Sequence, residues 1–189
     1  MKLVLASSSQ ARRKALDLLG LQYEVIPSHF DEKSIRDSDP LVLAKKLSEA
    51  KALEVGKMSP DAAVVVAADL FVTLDNKIFE KPGTVKDAVD MLKTFSDRRL
   101  DIIAGLAVLN TETAKMLSTV EVCTVKFREL TDNEIMNYVA KYPVMQFAGA
   151  FDGDGMLRFA DHLQGNYNFQ SGLPMNKLIL FLRENGLSV

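Results

Sequence analysis

The chain has 189 residues, of which 48% are hydrophobic and 25% charged, enough to bury a substantial core in one large domain or two small lobes. Its formal net charge of −2 leaves no electrostatic footprint for a nucleic-acid polymer or a membrane surface, so an anionic ligand has to be met by local charge. A single cysteine, Cys123, and two histidines, His29 and His162, exclude a disulfide framework and a cysteine-based zinc site. Metal chemistry then falls to carboxylates, which favour hard cations such as Mg²⁺ or Mn²⁺. Lys2 and the short apolar run before Ser7-Ser8-Ser9 do not form a signal peptide, and no apolar stretch is long enough to span a membrane. The expected compartment is the cytoplasm.

In chain order, Lys2-Leu3-Val4-Leu5-Ala6 predicts a buried strand, Ser7-Ser8-Ser9-Gln10 a polar turn, and Ala11 to Leu19 a helix. A strand, a serine-rich turn and a helix N-terminus offer backbone N–H groups and a positive dipole end to an anion. Arg12 and Arg13 fall in the first helical turn, where cations oppose the dipole, a placement that suits a ligand's negative charge. The competing reading is an ordinary capped helix with solvated arginines. Gln22 to Pro27 predicts a short strand, followed by the acidic loop His29-Phe30-Asp31-Glu32. Pro40 opens a helix over Leu41 to Gly56 with Leu43, Ala44, Leu47, Ala50 and Leu53 inward; Lys45, Lys46, Glu49 and Lys51 take polar positions.

Residues 62–82 form the centre of the chain. Val64-Val65-Val66-Ala67-Ala68 reads as a strand buried on both faces that ends on Asp69, where the core reaches the surface. A second apolar run, a turn at Asp75-Asn76 and a return strand over Lys77-Ile78-Phe79 make a hairpin that brings Lys81 back toward Asp69. A carboxylate and an ammonium at one place suit a metal ion and a phosphate, although the same pair also reads as a surface ion pair. Further on, Val85 to Phe95 is an amphipathic helix, and Ile102–Leu109 with Met116–Phe127 reads as a long hairpin. Thr131 to Glu134 is a capping box. The glycine-rich stretch Ala148 to Gly155 lacks the spacing and closing glutamate of a calcium loop. Gly172-Leu173-Pro174 caps a last helix over Met175 to Asn185.

Taken together, LASSSQARRKALDLLG at the N-terminus, FDE at 30–32, EAKA at 49–52, AAD at 67–69, EKP at 80–82 and GLP at 172–174 stand in the order found in the Maf family, which the chain resembles over almost its whole length. The resemblance implies a single domain over residues 1–189. It also implies an α/β, two-lobed fold similar to inosine triphosphatase, with an elongated twisted mixed sheet, flanking helices and a central cleft. The activity it implies is nucleoside triphosphate pyrophosphatase: metal-dependent hydrolysis to the monophosphate and pyrophosphate, cleansing the nucleotide pool. Onto this chain it carries Asp69, Lys51 and Lys81 as catalytic residues and Ser9 and Arg12 as triphosphate-binding ones, to which the reading of the serine turn and first helical turn adds Ser7 and Arg13. Glu32 and Asp69 become ligands of Mg²⁺ or Mn²⁺. A homodimer is also implied.

The chain departs from many relatives at Gln10 and Ala11, where proline and arginine are usual, and at Ala104, where threonine is usual. Over Phe147 to Gly155 it lacks the lysine and glutamine of the dTTP/UTP branch. This stretch, with Phe127-Arg128-Glu129-Leu130 and Asn137-Tyr138-Val139, is more similar to the 7-methyl-GTP branch. An acid suits the donor edge of guanine and an aromatic face suits a cationic ring, which makes Phe151, Asp152 and Asp154 candidates for the base. The alternatives are a dTTP/UTP pyrophosphatase and a nucleotide-binding regulator of cell division with little turnover.

Overall fold

The computed structural model describes residues 1–59, 61–165 and 172–189, together with every side chain among them except that of Asp154. Among the described residues there are seven strands and six α-helices, in the order β1 (Lys2–Leu5), α1 (Gln10–Asp17), β2 (Glu24–Val25), α2 (Pro40–Met58), β3 (Ala63–Leu74), β4 (Lys77–Phe79), α3 (Val85–Phe95), β5 (Arg99–Asn110), β6 (Lys115–Phe127), α4 (Asp132–Lys141), α5 (Gly153–Phe159), β7 (Ala160–Gln164) and α6 (Met175–Glu184). The strands form one mixed sheet in the order β2-β1-β3-β5-β6-β7, with β4 paired to β3. The residues divide into two compact units, Met1–Asp69 with Ala104–Glu121 and Ser171–Val189, and Leu70–Ile103 with Val122–Gln170.

In the first unit β1 runs parallel to β2 and to the start of β3, with Val4 opposite Val65 and Leu5 opposite Val66. Alternation along these strands sends side chains to opposite faces. Leu3, Leu5, Val64, Val66, Ala68, Leu106 and Val108 pack on Ala15 and Leu16 of α1 and Leu178 and Leu182 of α6. Val4, Ala6, Val65, Ala67, Ala107 and Leu109 pack on Ala52 and Val55 of α2. A strand covered on both faces has no use for polar positions, which accounts for the unbroken apolar run at 63–68. The second helix layer lies close, because a Cβ on Gly105 of β5 would stand 2.2 Å from the Ala44 carbonyl oxygen of α2.

The second unit holds an aromatic core. Phe95 meets Phe79 at 4.7 Å, Phe127 at 6.3 Å and Phe151 at 6.1 Å between ring centroids, and Phe127 meets Phe159 at 5.5 Å. β3 turns into β4 through Asp75 and Asn76, both at positive φ (51° and 63°), the backbone a two-residue hairpin demands. The capping box at the start of α4 is formed as expected, with Thr131 and Glu134 each bonding the other's backbone.

Three expectations need correction. β3 does not end at Asp69: it continues to Leu74 and buries Asp69 within it, because the following residues Val72, Thr73 and Leu74 are themselves covered. Leu53, expected inward on α2, is exposed, and Lys51 takes the buried face with Leu47 and Val55. The stretch Ala148 to Gly155, for which the sequence predicts no helix, instead runs into α5 from Gly153, and α5 is followed by β7, which pairs antiparallel with β6. Glycine disfavours a helix interior, but here Asp152 supplies the N-cap to the Gly155 N–H at 2.8 Å. Gly155 is also held glycine by space, since a Cβ there would stand 2.2 Å from the Tyr138 hydroxyl.

Candidate active site

The site is built in the first unit by four segments. β1 ends in the serine turn, and Ser9 caps α1, its Oγ accepting from the Arg12 backbone N–H at 3.4 Å. Buried Ser7 accepts at Oγ from the Ser9 N–H at 3.2 Å and from Arg12 Nη1 at 3.3 Å. Arg12 also donates from Nε to the Gly172 carbonyl at 3.3 Å. The guanidinium is thus fixed between the turn and the segment before α6, rather than trailing in solvent. Burial pulls its pKa below the ordinary value, and the opposing pull comes from Asp69 and Glu32.

Strand alternation selects the face of Asp69. Val65 and Ala67 point toward α2, so Asp69 does too, and the α2 residue waiting there is Lys51. Asp69 is 6% exposed and Lys51 9%, and Lys51 Nζ donates to Asp69 Oδ1. The same Nζ meets Glu32 Oε1 at 2.7 Å, so one ammonium bridges a buried carboxylate and a carboxylate whose side chain is 57% exposed. Asp69 Oδ2 is buried with no hydrogen-bond partner among the described residues. Burial pushes the Asp69 carboxyl above the usual carboxylate range; Lys51 and Arg12 oppose the shift and Glu32 adds to it.

The structure therefore forms two bonded sets, Ser7–Ser9–Arg12 and Glu32–Lys51–Asp69, within electrostatic reach of each other, since Asp69 and Glu32 both act on the Arg12 charge. Arg13 stands apart: its carbonyl accepts from the Tyr23 hydroxyl at 3.3 Å, and its Nε is buried without a hydrogen-bond partner among the described residues. Lys81 is exposed and belongs to the second unit, two residues beyond Phe79, the last residue of β4 paired to β3. Phe151 is buried in the aromatic core, 5.2 Å from Phe127, and Asp152 Oδ1 accepts from the Tyr138 hydroxyl at 3.0 Å as well as from Gly155. The packing of that unit accounts for both. The side chain of Asp154 lies outside the described residues.

Residues not singled out in the sequence complete the first-unit site. Glu54, one turn beyond Lys51 on α2, accepts at Oε2 from Ser28 Oγ at 2.5 Å and from the His29 N–H at 2.9 Å. A glutamate one helical turn after Lys51 was the available signal.

As for a metal, no cluster of three or more His, Cys, Asp or Glu stands ready to hold one among the described residues. What the cluster offers is two carboxylates on one ammonium, with Asp69 Oδ2 as an unused buried oxygen donor. Such a set suits a hard cation whose remaining ligands are waters and ligand phosphates, the usual arrangement for Mg²⁺.

Comparison with known proteins completes these observations. The family model described as Maf-like protein matches residues 2–185. A dTTP/UTP pyrophosphatase of Aquifex aeolicus is 39% identical over 188 residues, spanning 99% of this chain and 97% of the relative. A 7-methyl-GTP pyrophosphatase of Idiomarina loihiensis is 37% identical over 191 residues, spanning 100% and 96%. Among solved structures, the Ham1 protein of Staphylococcus aureus superposes with a TM-score of 0.52 over 98% of this chain and 100% of that one, at 15% identity, a likeness of fold alone.

Proposed function

The chain belongs to the Maf family, and from that premise we propose that it is a nucleoside triphosphate pyrophosphatase that releases pyrophosphate and leaves the monophosphate. The observation that carries this is the Glu32–Lys51–Asp69 cluster beside the serine turn and Arg12. An ion cluster so buried contributes little to stability on its own account, whereas it suits a polyphosphate, which needs fixed cations, and a hydrolysis, which needs an ionised carboxylate.

In the reaction, water attacks the α-phosphorus and the bond to the bridging oxygen of the leaving pyrophosphate breaks. Arg12, Lys51 and the N–H groups of the serine turn meet the negative charge that grows on the phosphate oxygens, an interaction stronger in the transition state than in the substrate. Lys81 is proposed for the same task, on the family resemblance of the Lys81-Pro82 pair. Asp69, ionised, orients the water and takes its proton. A divalent cation, Mg²⁺ or Mn²⁺, held by Asp69 and Glu32 with phosphate oxygens, would supply Lewis-acid neutralisation of the triphosphate.

For the base, 7-methyl-GTP is the first choice, on the sequence pattern over 127–130, 137–139 and 147–155. Phe151 and Asp152 do not support that choice by contact, since the core and the α5 cap engage them. A pyrimidine triphosphate is the second choice, favoured by the 39% identical relative. Product analysis on 7-methyl-GTP, dTTP, UTP and the standard triphosphates with Mg²⁺ or Mn²⁺, beside an Asp69→Ala control, tests both. Pyrophosphate and monophosphate from one class, abolished in the control, are expected. Orthophosphate as product, or nucleotide binding without turnover on the whole panel, would overturn the proposal, the latter in favour of a regulator.

A further inference from the structure

Glu32 is the least anchored member of the cluster by its own side chain, yet it has to meet Lys51 from a loop between β2 and α2. The C-terminal side of that loop is self-supporting. Asp31 Oδ1 accepts from the Lys33 N–H at 3.0 Å, Ser34 Oγ donates to the Asp31 carbonyl at 2.6 Å, and Arg36 Nη1 donates to the Glu32 carbonyl at 3.2 Å. These bonds fix the shape of residues 31–36; one residue further on, Asp37 Oδ2 meets Lys46 Nζ of α2 at 2.8 Å, a pair whose lysine side chain is 49% exposed.

The N-terminal side is fastened differently. The Phe30 N–H donates to Ser28 Oγ at 3.2 Å, the Ser28 hydroxyl donates to Glu54 Oε2 at 2.5 Å, and the His29 N–H donates to that same oxygen at 2.9 Å. A half-buried carboxylate of α2 therefore collects the loop's donors through one atom. Bonds to an ionised acceptor are the strong kind, and they fix backbone as well as side chain. Lys51 and Glu54 lie three residues apart on the same helical face, so the residue that meets Glu32 and the residue that seats its loop move as one body.

From this geometry we infer that Glu54 is a positioning residue for the site: it holds the 28–30 segment on α2 and thereby sets Glu32 against Lys51 and Asp69. The inference rests on the proposed role of Glu32 in holding a divalent cation with the triphosphate. Partners that orient a ligand from one step away typically change metal affinity or activity by about 10- to 100-fold when removed. Glu54 touches no reacting atom, so its effect has to pass through Glu32.

The test is a cycle of Glu54→Ala, Glu32→Ala and the double variant, read by kcat/KM and by the Mn²⁺ dissociation constant from electron paramagnetic resonance. Hydrogen exchange of the amides of residues 28–34 reports the loop directly. Expected are a loss of about 10- to 100-fold in kcat/KM and in Mn²⁺ affinity for Glu54→Ala, with faster exchange in the loop. No further loss is expected when Glu54→Ala is added to Glu32→Ala. Glu54→Gln, which keeps an acceptor oxygen, should recover part of the loss.

Activity and Mn²⁺ affinity of Glu54→Ala within twofold of the parent would overturn the inference, and so would a loss that multiplies in full with that of Glu32→Ala. Should Glu54→Ala not fold, Ser28→Ala carries the same cycle from the loop side without touching α2, with the same non-additive pattern expected. If Glu32→Ala itself matches the parent in both readouts, the role of Glu32 falls and the positioning role with it. If Glu32→Ala is impaired and Glu54→Ala is not, only the positioning role falls.

Discussion

Replacing Lys51 with methionine keeps most of the side-chain volume and removes the ammonium that faces Asp69 and Glu32. Glu32 is 57% exposed and resolvates, so the cost sits on Asp69, whose other oxygen already lacks a hydrogen-bond partner among the described residues. Stranding one member of a buried pair costs about 3–5 kcal/mol. An independent limit comes from proton uptake: the gap between the ordinary value of 3.8 and pH 7, at about 1.36 kcal/mol per pH unit, caps the penalty at about 4 kcal/mol. Two terms bring the difference below that cap. Asp69 already carries part of the penalty in the parent, and the lysine's own desolvation disappears. We expect a loss of about 2–4 kcal/mol at pH 7, or roughly 5–15 °C in melting temperature for a chain of this length.

The sign with pH follows. A carboxyl whose folded pKa exceeds its unfolded value destabilises only where the unfolded state is ionised. The gap between parent and variant should therefore close below about pH 4 and widen as pH rises to 7. Urea melts of Lys51→Met, Asp69→Asn and the double variant across that range measure it, the double variant being expected to regain at least half of the lysine's loss. A gap under about 1 kcal/mol at pH 7, a gap independent of pH, or additive single variants would refute the coupling of the pair.

Arg12→Lys should lower kcat/KM by about 100-fold, since an ammonium cannot bridge Ser7 Oγ and the Gly172 carbonyl as the guanidinium does; steady-state kinetics on the accepted triphosphate decide, and activity within threefold of the parent would contradict it. Gly105→Ala should cost at least about 2–3 kcal/mol in a urea melt, because the new methyl group meets the backbone of α2 rather than a movable side chain. Glu134 is held at a pKa of about 2, first by Arg128 and then by Thr131, so Glu134→Gln should be less stable than the parent above about pH 4.5 and equal to it as pH falls toward 2; a difference that persists at pH 2 would argue against the ion pair.

The parts of the fold legible in the sequence are those where one local rule dominated. The run at 63–68, the Asp75-Asn76 turn, α3 and the capping box each follow from alternation, positive-φ chemistry or helix periodicity within about ten residues. The segment 153–164 was not legible, because two glycines argue against a helix and the reason for Gly155, the Tyr138 hydroxyl beside it, is a tertiary contact; the Asp152 cap is local but does not by itself outweigh them. The burial of Asp69 was missed for a similar reason. A lone acid after an apolar run resembles a strand end, and only the continuation to Leu74 with a lysine opposite shows it to be interior. Phe151 and Asp152 look alike in sequence whether they meet a base or serve the core, so residue type alone could not assign them.

Lys51 shows why a site of this kind reads weakly one residue at a time and clearly as a set. On α2 it takes a buried position among apolar side chains, and on β3 Asp69 takes another. Either charge alone would be an error of patterning costing several kcal/mol. Alternation puts Asp69 on the α2 side of the sheet and helical spacing puts Lys51 on the sheet side of α2, so each misplaced charge is the partner of the other. Even paired, they leave an oxygen of Asp69 unpartnered among the described residues, and well-packed apolar side chains would serve the core at least as well. A pair that the fold does not need and that leaves an acceptor unused is what the proposed role in binding a triphosphate asks for, and the serine turn and Arg12 suit the same polyanion.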